Sequence, residues 1–123
     1  MTSGHNVLQS IASTTELELV DPGSGGTIQL DRSMGICPVV TVGAESRKIA
    51  SPQRAGIIIS ICFKTDGGDL TITGEGSEIL NSGAGTETTA TMADAGDLLM
   101  LISINKGSNI VWSPLANNGA AMS

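Results

Sequence analysis

Apolar and polar residues alternate through several short stretches of this chain, and glycine-rich turns separate them. From Thr14 onward, Leu17 and Leu19 fall on one side and Glu16 and Glu18 on the other, the period of a half-exposed β-strand. The Asp-Pro-Gly-Ser-Gly-Gly run at residues 21–26 ends it. Residues 27–30 put Ile28 and Leu30 on one face, and after a turn at residues 31–35 a third strand covers residues 36–42. Pro38 cannot donate a ladder hydrogen bond, so this strand is expected at a sheet edge or to begin after the proline. Residues 46–54 read as a loop.

Residues 56–63 set Ile57, Ile59, Ile61 and Phe63 against Ile58, Ser60 and Cys62. A strand apolar on both sides belongs in the middle of a core, and residues 98–104 share that character. Residues 64–69 suit a hairpin loop between 56–63 and the next strand, 70–73. A Gly-rich excursion at 74–85 and a Thr-rich strand at 86–92, polar enough to lie exposed, lead to the last hairpin. There a strand, a Gly-centred reversal and a strand carrying Trp112 follow one another, and residues 116–123 are expected to trail off.

About eight or nine short strands at this spacing predict an all-β fold. The expected form is one antiparallel β-sandwich or barrel over residues 14–123, jelly-roll-like or related, with a flexible arm at residues 1–13. Within that polar arm Val7, Leu8 and Ile11 stand out as apolar, which marks them as candidate contacts with a partner or a neighbouring subunit.

Composition narrows the functions open to such a fold. One Trp, one Phe and no Tyr leave the core to aliphatic residues. Aromatic platforms for sugars and stacking surfaces for single-stranded nucleic acid are therefore lacking. The net charge of −6 opposes phosphate binding, so no nucleic-acid partner is expected. No apolar run reaches membrane-spanning length, and the amino terminus lacks the basic and apolar regions of a secretory signal, so no membrane partner is expected either. Cys37 and Cys62 lack C-x-x-C spacing; they could pair, but without a disulfide-dense pattern they are expected as buried, reduced thiols.

The chain offers little to reaction chemistry. Its single histidine, His5, lies in the arm, away from any nucleophile held in a folded frame. Asp66 with Asp69 and Asp94 with Asp97 flank glycines, where an aspartate ordinarily bonds nearby backbone and fixes a turn. No D-x-D-x-D-G run suggests calcium, although the loop at residues 66–69 leaves room for a weak cation site, and zinc ligands are too few. The Gly-rich pieces at 23–26 and 83–85 lack a phosphate-binding form. An enzyme is not expected, and neither is a resident metal or cofactor. Half of the six basic residues, Arg47, Lys48 and Arg54, sit in the loop at 46–54, the first place to look for contact with an acidic partner surface.

Residues 88–104 (TTATMADAGDLLMLISI), continuing to Val111-Trp112 and to the NNGAAMS tail, resemble small virion structural proteins of tailed bacteriophages. The segment 68–74 (GDLTITG) resembles a strand of the same group, and the likeness covers roughly residues 56–123. This resemblance, to head decoration or cement proteins, implies a compact β domain that forms trimers and bridges neighbouring major capsid subunits through a terminal arm. It also implies a place on the capsid exterior, after synthesis in the host cytoplasm. Two alternatives compete with it: a small tail-fibre, spike or host-recognition module, and a β-sandwich binding module from outside any virus.

Overall fold

The computed structural model describes residues 17–30, 32–76 and 87–123. Nine strands form from them: β1 (Thr27–Ile28), β2 (Met34–Val40), β3 (Glu45–Ile49), β4 (Ile58–Thr65), β5 (Leu70–Gly74), β6 (Ala90–Met92), β7 (Leu98–Lys106), β8 (Asn109–Asn118) and β9 (Ala121–Met122). They make a β-sandwich of one five-stranded sheet, β1-β3-β5-β6-β9, and one four-stranded sheet, β2-β4-β7-β8. The all-β sandwich is thus as the alternation of residues predicts.

The pairing differs from the expected antiparallel scheme. β1 with β3, β3 with β5 and β2 with β4 are parallel, and only the later pairs are antiparallel. Consecutive strands from β1 to β5 change sheets at every step, so the first half of the chain winds as a flattened helix. This departs from the antiparallel Greek-key winding of a jelly roll. Residues 66–69 are accordingly not a hairpin loop but a crossover between sheets. That crossover nests on the preceding one at Thr41–Ala44: Thr41 Oγ1 donates to the Gly68 carbonyl at 2.8 Å and accepts the Gly67 N–H at 3.0 Å. A Cβ on Gly67 would collide with the Thr41 carbonyl, and one on Gly68 with the Gly43 backbone. Only glycine lets the two corners stack.

The core lies between the sheets and is aliphatic, as the scarcity of aromatic residues requires. Ile59, Ile61, Phe63, Leu99 and Leu101 of the four-stranded sheet meet Ile49, Leu70, Ile72, Ala90 and Met92 of the other. β4 and β7 are the two central strands of their sheet, as their two-sided apolar character predicts. β2 is an edge strand, as Pro38 predicts. On its open side the Ile36 carbonyl accepts the Leu19 N–H at 2.7 Å and the Val40 N–H donates to Asp21 Oδ2 at 3.1 Å. Pro38 lies between them, where no ladder bond is lost.

Two expectations fail at the carboxy-terminal end. The Thr-rich segment is not an exposed strand: Ala90 and Met92 are fully buried, because β6 runs inside the five-stranded sheet. Residues 116–123 do not trail off either. Asn117 caps its own turn, its Oδ1 accepting the Ala120 N–H and its Nδ2 donating to the Ala120 carbonyl, both at 2.9 Å. Beyond that turn β9 closes the edge of the five-stranded sheet against β6.

Candidate functional site

The outer faces of the two sheets differ in chemistry. On the five-stranded sheet the register aligns Thr27, Lys48 and Thr73 in one row and Ser46, Thr71, Thr91 and Ala121 in the next, a hydroxyl-rich surface suited to water. On the four-stranded sheet β2 turns Met34, Ile36, Pro38 and Val40 outward, β4 turns Ile58, Ser60 and Cys62, and β7 turns Leu98, Met100, Ile102 and Ile104. That face is apolar almost throughout. At its rim Met34, Ile36 and Val40 are 48%, 40% and 43% exposed, and Val20 and Val42 beside them reach 82% and 89%. Contiguous exposed apolar surface of this kind is a common feature of interaction sites.

Sequence reasoning missed this strip, although a signal was present. Residues 34–42 are apolar at nearly every position, and a strand placed at an edge by Pro38 has no second neighbour to justify that. The predicted contacts fare differently. Val7, Leu8 and Ile11 lie outside the described residues, as does His5. Arg47, Lys48 and Arg54 are not brought together on a loop. Residues Glu45–Ile49 are a strand, Lys48 is exposed on the hydroxyl-rich face, and Arg54 donates from Nη2 to Ser33 Oγ at 2.8 Å.

Arg47 is a correction in itself, being 1% exposed and so closed to any partner. It points inward from β3, where Nε donates to Asp21 Oδ1 at 2.7 Å, Nη1 to Glu45 Oε1 at 2.9 Å and Nη2 to the Val40 carbonyl at 3.1 Å. One guanidinium thereby fastens β3 of the five-stranded sheet to the edge of β2. The rigid fork of arginine suits that work. Burial alone would push the Asp21 carboxyl up, but hydrogen bonds from Arg47, the Gly23 N–H and the Val40 N–H outweigh it and hold the group below its ordinary value. The Val42 N–H and then Arg47 hold Glu45 low as well.

A pH dependence follows. Both carboxylates are easier to protonate in the unfolded chain, where their pKa values are 3.8 and 4.5. The stability they contribute is complete above about pH 5 and is lost as pH falls through the lower folded-state values. Thermal melts from pH 6 to pH 2 should show the Tm dropping below about pH 4, with a shallower drop in Asp21→Asn.

Two of the candidate aspartates fix turns. Asp97 Oδ2 accepts the N–H groups of Ala93 and Asp94 at 3.1 Å, and Asp66 Oδ1 accepts the Gly68 N–H at 3.0 Å, the turn-fixing roles their glycine neighbours imply. Cys37 and Cys62 are free. They sit on adjacent strands but face opposite sides of the sheet, Cys37 inward and Cys62 outward. Burial pushes the Cys37 thiol up to about 12, which leaves it inert. Among the described residues no three His, Cys, Asp or Glu side chains gather as a metal site would need.

The described residues thus define an aliphatic β-sandwich with an apolar rim and a buried arginine clamp. No family model matches the chain, and no curated protein matches it.

Proposed function

We propose that this chain is a non-enzymatic virion structural protein that decorates and stabilises a bacteriophage capsid, bridging major capsid subunits as a trimer. The observation that carries the reading is the exposed apolar strip along β2 with Val20 and Val42. The resemblance of residues 56–123 to small virion proteins supports it. So does a fold in which Asp21, Asp66, Asp97 and the buried Arg47 are committed to holding turns and strands.

The mechanism is mass action. A protein that binds the assembled shell and not its free subunits stabilises the shell by its binding free energy, and trimers multiply the effect through effective concentration. Val20 and Val42 are so exposed that glutamate at both positions should change stability by only about 0.5 kcal/mol each. Added to undecorated heads, the native chain should bind in hundreds of copies and raise their heat resistance. Val20→Glu/Val42→Glu should bind at least about tenfold more weakly, since two apolar contacts are lost. A handful of copies confined to the tail would instead favour a fibre module, and no binding to any virion part would overturn the viral reading.

A further inference from the structure

Val20 and Val42, the two most exposed members of the apolar strip, both lie outside the strands. Side chains so open to water gain little from packing, so their places are set by the backbone that carries them. That backbone is tied to one cluster beneath it. Val40, a third member of the strip, is gripped twice: its N–H donates to Asp21 Oδ2 and its carbonyl accepts Arg47 Nη2, both at 3.1 Å. The Val42 N–H donates to Glu45 Oε2 at 2.8 Å, and the other oxygen of that carboxylate accepts Arg47 Nη1 at 2.9 Å. Val20 directly precedes Asp21, whose Oδ1 accepts Arg47 Nε at 2.7 Å and the Gly23 N–H at 3.1 Å. Two stretches far apart in sequence, around residue 20 and around residues 40–42, are thus referred to a single guanidinium.

We infer that Arg47, acting through Asp21 and Glu45, is the positioning residue of the strip: it holds Val20, Val40 and Val42 in the arrangement a partner meets, before any partner arrives. The inference rests on the capsid reading for the use to which the strip is put, and on the geometry alone for the rest. A surface whose contact residues already stand in place avoids the cost of ordering them on binding. One that is in place only part of the time binds more weakly by that fraction. The guanidinium itself stays out of the contact surface, being 1% exposed. Lysine would keep the charge but not the fork that reaches three acceptors.

Backbone order parameters of the full-length chain test this, because loss of global stability alone does not change the fast motions of the folded state. In Arg47→Lys the amides of Val20, Val40 and Val42 should fall from about 0.85 to about 0.6 or below. Those of Gly56 and Phe63, which donate to the Ser103 and Asp97 carbonyls, should stay as in the native chain. Glu45→Ala is the second variant, and it should loosen Val42 while leaving Val20 and Val40 ordered; it decides the matter if the lysine variant does not fold. Where both chains are folded, Arg47→Lys should bind undecorated heads at least about tenfold more weakly than the native chain. Unchanged order at the valines overturns the inference, as does a loosened strip that binds heads as tightly as the native one. A native chain that binds no heads removes the capsid reading alone, and the order parameters then decide whether Arg47 positions the valines.

Discussion

Trp112→Ala should be the most damaging single substitution, lowering stability by about 3–5 kcal/mol. Trp112 is fully buried, it is the largest side chain in the core, and its Nε1 donates to the Ala50 carbonyl at 3.2 Å. That bond ties β8 to the segment leaving β3. Alanine removes the ring, opens a cavity and strands the carbonyl together. In a domain stabilised by a total of about 5–15 kcal/mol, urea melts should show the midpoint falling by a large fraction, with Trp112→Phe in between because it keeps most of the volume while losing the hydrogen bond and part of the ring. An alanine variant within about 1 kcal/mol of the native chain would mean that the ring does not join the two sheets.

Arg47→Ala should cost about 3 kcal/mol, the lower end of the range for breaking a buried ion pair, since Asp21 keeps 22% of its side-chain surface in water. The loss comes chiefly from what remains behind: the Asp21 and Glu45 carboxylates and the Val40 carbonyl without their donor. Arg47→Lys should recover only part of it, because one ammonium cannot reach the positions held by Nε, Nη1 and Nη2. Chemical denaturation at pH 7 checks both variants. A lysine variant as stable as the native chain would show that charge alone, not the fork, holds β3 to β2.

Much of the layer structure was legible in the chain because burial on one face imposes a period of two. The central place of β4 and β7 followed from isoleucine and leucine on both sides, and the edge place of β2 from one proline. The partners of each strand were not legible. A six-residue Gly-Asp connection has the same local chemistry whether it turns back as a hairpin or crosses to the other sheet. The choice was made at a distance, where Gly67 and Gly68 stack on residues 41–44. Arg47 misled for a similar reason. Between Ser46 and Lys48 it reads as part of a solvated loop, and its counter-charge, Asp21, lies a full winding earlier in the chain. The tail misled because small residues look idle, although the Asn-Asn-Gly signal for a turn at 117–119 was present. Of the exposed apolar strip, the residues were visible and their exposure was not.

The hydroxyl-rich sheet and the apolar sheet stand back to back, and this gives the molecule two sides of unlike wettability. In the capsid role proposed above, such a tile would settle on its support greasy side down. The hydroxyl-rich side would then face the solvent, and a coat built in this way would end at a single layer.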